Sequence, residues 1–216
     1  MRNISRAALL KLDANSYRSH MAHHTFIAKS NSGRKIKDPR SDLTNIVEKF
    51  VRTEVEEVLK LTDYRVLKWS QRNIYNEEIP KFKELDGVYE TVDRSLVILE
   101  VKASAAKSGI KKGLKQLIES VNILSTIKPK TIGVLAIADM GRFSDAFGRA
   151  PDESLEELIP DKEFYVIEWP IDVSERFDDQ IFVTFIPETT ADNWMSKSTE
   201  MRQALCNLEQ ISDVNQ

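Results

Sequence analysis

The stretch ELDGVYETVDRSLVILEVKAS, residues 84–104, decides the fold of this chain. It contains an almost purely apolar run at Ser95–Val101, rich in branched residues and bounded by polar turns, which predicts a buried β-strand. The residues before it predict another strand from about Lys83 to Glu90. The connection Glu90–Ser95 is short, so we expect these two strands to be antiparallel neighbours.

The segments around this stretch complete an α/β pattern. Hydrophobic periodicity predicts a helix, a strand, a second helix and a last buried strand, at Asp42–Leu61, Tyr64–Trp69, Ser108–Ile127 and Thr131–Ala138. A buried strand, a long helix and another buried strand form a βαβ crossover, which requires a parallel pair. Since the other pair is antiparallel, we expect a mixed β-sheet flanked by helices.

The two ends of the chain are predicted with less regular structure. At the N-terminal end, Ile4–Tyr17 is expected to form a short helix and Ser30–Arg40 a loop. At the C-terminal end we expect a loop, two strands and a helix, at Gly141–Pro160, Glu163–Trp169, Gln180–Ile186 and Asn193–Leu208. The chain thus divides into a basic N-terminal extension (1–41), a core (42–138) and a segment 139–216. That segment either completes the same domain or forms a lobe that docks a partner.

Composition indicates one globular α/β unit in a reducing compartment. With 216 residues, 41% of them hydrophobic, the chain is long enough for one well-buried core. Its single cysteine, Cys206, excludes an intramolecular disulfide and disfavours a cysteine-rich zinc site. Its apolar runs are far shorter than the ~20 residues that a membrane helix needs. We therefore expect a cytoplasmic protein that does not enter membranes.

Charge is distributed unevenly along the chain. Residues 1–40 contain nine Lys/Arg against two acids, whereas residues 152–181 contain eleven acids against two bases. Between them, Val101–Ile118 contains five lysines and no acid. This asymmetry favours a polyanion bound to one side of the molecule. A solvated basic arm and a solvated acidic loop are the alternative.

Two acids and a lysine form the candidate site. Glu100 and Lys102 share one face of a strand, because residues i and i+2 project together. Asp86, on the neighbouring strand, brings a second carboxylate close to Glu100. Two such carboxylates repel each other unless a cation neutralises them, and oxygen ligands suit Mg²⁺ or Mn²⁺. The alternative is an exposed Glu–Lys pair at a strand end, with Asp86 in a turn.

The first predicted helix offers a further acid. On a helical wheel of Leu43–Leu61, Glu54 lies in the middle of the apolar face. Glu48 falls away from that face, and Glu57 lies at its margin. A glutamate on a core face is uncommon unless it is paired or binds a metal. Glu54 is therefore expected to point toward the site or to form a buried salt bridge, with Lys102 as the candidate partner.

The order of these features resembles the PD-(D/E)XK nuclease superfamily. The features are a helix with an inward Glu, an Asp, an apolar strand that ends in Glu-x-Lys, a second helix and a further strand. The resemblance covers residues 42–138 and implies the restriction-endonuclease-like fold, with an αβββαβ core. It implies that Asp86 and Glu100 bind a Mg²⁺ or Mn²⁺ ion, with help from the carbonyl of Val101. It also implies that Lys102 is the catalytic lysine and Glu54 the outer acid. Leu85 stands where the superfamily's name has proline.

The helix after the Glu-x-Lys strand carries candidate nucleic-acid contacts. Gln116 resembles a glutamine that several lineages of the superfamily place there, although a polar residue beside an apolar stripe is equally compatible. Lysines on the same helix suit contacts to phosphates, or else form an ordinary solvated face. They are Lys107, Lys111, Lys112 and Lys115.

Two functions follow from these observations. The first is a divalent-metal-dependent nuclease, a hydrolase of phosphodiester bonds, which we expect to act on DNA as an endonuclease. The second is a non-catalytic subunit that keeps the fold and binds nucleic acid or assembles a larger restriction or phage-defence complex. Both leave room for a protein partner or a homo-oligomer. The presence of all three residues, Asp86, Glu100 and Lys102, favours the first.

Overall fold

The computed structural model describes residues 4–31, 39–104, 107–128, 130–139, 164–169, 171 and 181–186. Its helices are α1 (Asn15–Asn31), α2 (Pro39–Val58) and α3 (Lys107–Leu124). Its strands are β1 (Ile4–Lys11), β2 (Tyr64–Arg72), β3 (Glu78–Glu84), β4 (Gly87–Glu90), β5 (Leu96–Ser104), β6 (Thr131–Asp139), β7 (Phe164–Val166) and β8 (Ile181–Phe185). None of the described helices has the length and apolar content to span a bilayer.

The larger sheet is mixed and has the strand order β4-β5-β6-β8-β7. Strand β4 runs antiparallel to β5, with Gly87 opposite Leu99 and Glu90 opposite Leu96. Strands β5 and β6, which α3 connects, are parallel. The predicted antiparallel pair, the predicted parallel crossover and the mixed sheet are therefore confirmed. Strands β8 and β7 extend the same sheet beyond β6, so these strands of the C-terminal segment belong to it.

A second sheet, of three antiparallel strands in the order β1-β2-β3, was not expected from the sequence. The predicted single strand from Lys83 to Glu90 is wrong, because the chain changes sheets within it. Strand β3 ends at Glu84, and Leu85 is fully buried and donates its N–H to the carbonyl of Arg65 at 2.8 Å. Asp86 lies at the change of sheet. Four strands thus separate α2 from α3, where the sequence predicted three.

The N-terminal prediction is also corrected. Ile4–Lys11 is a strand rather than part of a short helix over Ile4–Tyr17, and the first helix begins at Asn15. Strand β1 pairs with β2, with an irregularity next to Arg6, whose φ is 54°. Pairing with a long neighbouring strand overrides the weak local helix preference of so short a segment.

Several predicted elements have different bounds in the structure, and others lie outside the described residues. Strand β2 continues to Arg72, beyond the predicted end at Trp69, because it pairs with β3 along its length. Helix α2 ends at Val58, short of Leu61. The predicted loop at Gly141–Pro160 and helix at Asn193–Leu208 lie outside the described residues, as does most of the loop predicted at Ser30–Arg40.

The alternation of β5 places the candidate site. Val97, Leu99 and Val101 belong to one apolar cluster with Val51 and Val55 of α2. Ile98, from the other face of β5, belongs to a second cluster that contains the apolar side of α3, namely Ile110, Leu114, Leu117 and Val121. Full burial of such side chains contributes ~1.5–3 kcal/mol each, which fixes the phase of the strand. Glu100 and Lys102 therefore share the face that carries Ile98.

Candidate active site

Two carboxylates accept hydrogen bonds from alternate main-chain N–H groups of β5, near its C-terminal end. Strand β4 covers β5 only as far as the pair Gly87–Leu99. Beyond that point, the N–H of Val101 donates to Oδ2 of Asp86 at 2.7 Å. The N–H of Ala103 donates to Oε1 of Glu48 at 3.3 Å. Because residues i and i+2 present their N–H groups on the same edge of a strand, both acids lie along this edge.

Glu100 is a buried carboxylate held between two lysines. Its residue is 4% exposed. Oε1 lies 2.9 Å from Nζ of Lys102, and Oε2 lies 3.5 Å from Nζ of Lys83. Burial of a charge is costly unless it is paired and hydrogen-bonded, and these two ammonium groups supply that pairing.

Lys102 is protonated in this environment. Burial by itself lowers the pKa of Lys102, but the carboxylates of Glu100 and Glu48 outweigh it and raise that pKa above its ordinary value. Nζ of Lys102 lies 3.7 Å from Oε1 of Glu48. A lysine in this state donates hydrogen bonds and contributes positive charge.

Asp86 is electrostatically coupled to this group. Burial, together with repulsion from Glu100, raises the pKa of Asp86 to about 6, against the hydrogen bond from the N–H of Val101 and the charge of Lys102. The shift therefore reflects desolvation of the carboxyl group first and the neighbouring carboxylate second. The structure thus brings Asp86, Glu100 and Lys102 together, as the sequence predicted.

Helix α2 contributes Glu48 to this group, whereas the role expected of Glu54 stays a prediction. Glu48 contacts Lys102 and the N–H of Ala103. Glu54 is half-buried and lies six residues further along α2, or ~9 Å along the helix axis at 1.5 Å per residue. Residues six positions apart also point about 120° apart around a helix, so Glu48 lies beside the apolar face of α2 and reaches the edge of β5 that strand β4 leaves uncovered.

Sequence reasoning missed Lys83. Its ammonium donates to the carbonyl of Gln116 and to Oγ of Ser120, each at 2.8 Å, and these partners are 33 and 37 residues away in the sequence. The predicted strand from Lys83 to Glu90 hid its position, since Lys83 belongs to the smaller sheet and reaches α3 from there. The only signal in the sequence was a lysine three residues before Asp86.

Arg65 was also missed, and it supports the turn that carries Asp86. Its Nη1 lies 3.5 Å from the main-chain oxygen of Asp86 and its Nη2 lies 2.8 Å from Oε1 of Glu84. The guanidinium therefore bridges the end of β3 and the residue at the change of sheet. This contact is long-range and has no counterpart in local periodicity.

Three lysines of α3 lie on its solvent side, close in sequence to the end of β5. Lys111, Lys112 and Lys115 are exposed, and Lys107 is the first residue of the helix. Gln116 differs from them, because it is partly buried and its Oε1 is buried without a hydrogen-bond partner among the described residues. The exposed lysines form a basic helix face, to which Gln116 does not belong.

The two carboxylates suit a hard divalent cation that keeps several waters, rather than a cation enclosed by protein ligands alone. Within the described ranges, no group of three or more His, Cys, Asp or Glu side chains is placed to hold a metal ion. Asp86 and Glu100 supply two carboxylates that repel each other. Mg²⁺ is commonly held by one or two carboxylates and keeps several waters. Participation of the Val101 carbonyl stays a prediction.

Comparisons with known proteins assign no family. No protein-family model, no curated protein and no solved structure matches the chain. The likeness to the PD-(D/E)XK superfamily therefore rests on the order of elements and on the residues of the site.

Proposed function

We propose that this chain is a divalent-metal-dependent nuclease that hydrolyses phosphodiester bonds, with DNA as its substrate. The observation that carries the proposal is the convergence of Asp86, Glu100 and Lys102 at the end of β5, with the pKa of Asp86 raised to about 6. Perturbed carboxylates beside a charged lysine are typical of active sites. A purely structural ion pair does not require the second, repelling carboxylate.

Each residue has a defined task in this proposal. Asp86 and Glu100 would hold a Mg²⁺ or Mn²⁺ ion, which when bound polarises a phosphoryl oxygen and lowers the pKa of a coordinated water. Protonated Lys102 orients the attacking water and stabilises the negative charge that develops on the phosphate. Glu48 holds the ammonium of Lys102 at the edge of the sheet.

The basic helix face supports a polyanionic substrate. Lys111, Lys112 and Lys115 are exposed on α3, the helix that packs against the strand carrying Glu100 and Lys102. Lysines in such a place neutralise phosphates without reading the sequence of bases. They are therefore expected to position the nucleic acid backbone, while specificity lies elsewhere.

The test is incubation of the purified protein with plasmid DNA, linear DNA, branched DNA and RNA, in Mg²⁺, Mn²⁺ or EDTA. We expect cleavage of DNA that requires the metal ion and disappears in EDTA. Equal cleavage with and without EDTA overturns the metal-dependent proposal. A protein that binds DNA but cuts none of these substrates is instead a non-catalytic nucleic-acid-binding subunit.

A further inference from the structure

The ammonium of Lys83 has as many acceptors as it has donors. It contacts the carbonyl of Gln116, Oγ of Ser120 and Oε2 of Glu100. An ammonium group has three N–H donors, and its side chain here is only 19% exposed. Two donors bind helix α3 and the third faces Glu100 at 3.5 Å, so Lys83 is directed at Glu100 and not at solvent.

We propose that Lys83 is a positioning residue that acts as the built-in counter-ion of Glu100 and competes with the divalent cation for it. This inference rests on the proposed metal site. With no cation bound, Lys83 ties Glu100 to helix α3 through Gln116 and Ser120. A cation that bound Glu100 would do so against the positive charge of Lys83.

The competition follows from the distances. Nζ of Lys83 lies 3.5 Å from Oε2 of Glu100, so a cation that bound this carboxylate would lie close to the ammonium and would be repelled by it. Both groups are largely screened from solvent, with side-chain exposures of 19% and 6%. Repulsion between a lysine and a metal ion is weakened little by salt in such a place. Removing the charge of Lys83 therefore favours the cation.

A different role for Lys83 predicts the opposite sign. If Lys83 served only to hold Glu100 in the geometry that a metal needs, its loss would weaken metal binding. The direction of the change in affinity therefore separates competition from simple support, and it requires no measurement of activity.

The experiment measures Mn²⁺ binding to the full chain by isothermal titration calorimetry, without nucleic acid, for wild type and for Lys83→Met. We expect Lys83→Met to bind Mn²⁺ roughly tenfold more tightly, which corresponds to ~1.4 kcal/mol. We also expect its melting temperature in EDTA to fall, because Glu100 loses one of its two partners. Glu100→Gln identifies the binding event that belongs to this site.

Lys81→Met is the matched control. Lys81 lies on the same strand two residues away, with an exposed side chain, so its removal takes away the same charge outside the buried cluster. We expect its Mn²⁺ affinity to equal that of wild type. An equal gain in both variants would mean that net charge alone sets the affinity, and would overturn the role of Lys83.

A second variant covers the case in which Lys83→Met does not fold. Lys83→Gln also removes the charge, and its amide keeps N–H donors for the carbonyl of Gln116 and Oγ of Ser120. It should raise the Mn²⁺ affinity in the same direction as Lys83→Met. Unchanged or weaker Mn²⁺ binding in the folded variants overturns this inference alone. Wild-type protein that binds no Mn²⁺ overturns the proposed metal site, and this inference with it.

Discussion

The stem of Lys102 crosses helix α3 at Gly113. A Cβ atom on Gly113 would lie 2.7 Å from Cγ of Lys102 and 3.0 Å from Cδ1 of Leu135. Contacts below 3.0 Å force a shift, and here the nearest atom belongs to the middle of the lysine stem. The absence of a side chain at Gly113 is therefore a condition for the position of the Lys102 ammonium.

Gly113→Ala should displace Lys102 and lower the rate of DNA cleavage by tenfold or more, on the order of the loss expected when a charge is misplaced by ~1 Å. The helix itself should tolerate the change, since alanine favours a helix over glycine by ~1 kcal/mol. Cleavage rates and urea unfolding of Gly113→Ala and of the control Gly109→Ala, one turn earlier, check this. Equal activity in the two variants would show that Lys102 accommodates the methyl group.

Lys102→Ala should reduce cleavage by ~10²–10³, because it removes a preorganised charge from the reacting phosphate. Binding of Mn²⁺ should remain or become tighter, since Asp86 and Glu100 are unchanged and a positive charge beside Glu100 is removed. Single-turnover cleavage and calorimetric Mn²⁺ titration of the same preparation check both statements. A variant that loses stability but cleaves at the wild-type rate once folded would assign Lys102 a purely structural role.

Glu48→Gln should impair cleavage more than Glu54→Gln. The amide still accepts the hydrogen bond from the N–H of Ala103 but no longer attracts the ammonium of Lys102. The matched variant removes a charge from the same helix six residues away. Cleavage rates of the two variants under identical conditions give the comparison. A larger loss in Glu54→Gln would contradict the assignment of Glu48.

The raised pKa of Asp86 makes stability depend on pH. Its folded pKa is about 6, against 3.8 for the ordinary group, so between these values the folded state binds more protons than the unfolded state. Stability should therefore fall as pH rises through this window and stay low above it. A shift of two pKa units corresponds to about 3 kcal/mol.

Asp86→Asn should abolish this dependence, because the amide has no charge to bury near Glu100. Relative to wild type, the variant should gain about 3 kcal/mol in the free energy of unfolding between about pH 4 and about pH 7.5. Urea unfolding in EDTA at both pH values measures the gain. A difference between the two proteins that is constant with pH would refute the raised pKa.

The basic helix face should contribute non-specific affinity for DNA. Replacing Lys111, Lys112 and Lys115 by Gln should lower the slope of log K against log salt by roughly 0.9 for each lysine that contacts a phosphate of duplex DNA. Fluorescence anisotropy over a salt series measures the slope. Lys128→Gln, beyond the C-terminal end of α3 and paired with Glu90, is the control and should leave the slope unchanged.

The sequence alone determined the central part of the sheet. The apolar run before Glu100 predicted strand β5, the short connection predicted its antiparallel neighbour, and the helical spacing of α3 predicted the parallel crossover to β6. These features depend on local periodicity and on short connections, which a single sequence records. The shared face of Glu100 and Lys102 follows from the same period of two.

Only the tertiary structure decided the rest of the site. Glu48 contacts Lys102, although it lies off the apolar face of α2, because packing sets both the height and the rotation of α2 against the edge of β5. Lys83 reaches Glu100 because the chain changes sheets at Asp86 and brings the end of β3 against α3. Both contacts join residues far apart in the sequence, so their energies depend on how the sheets and helices pack and leave no periodic trace in the chain.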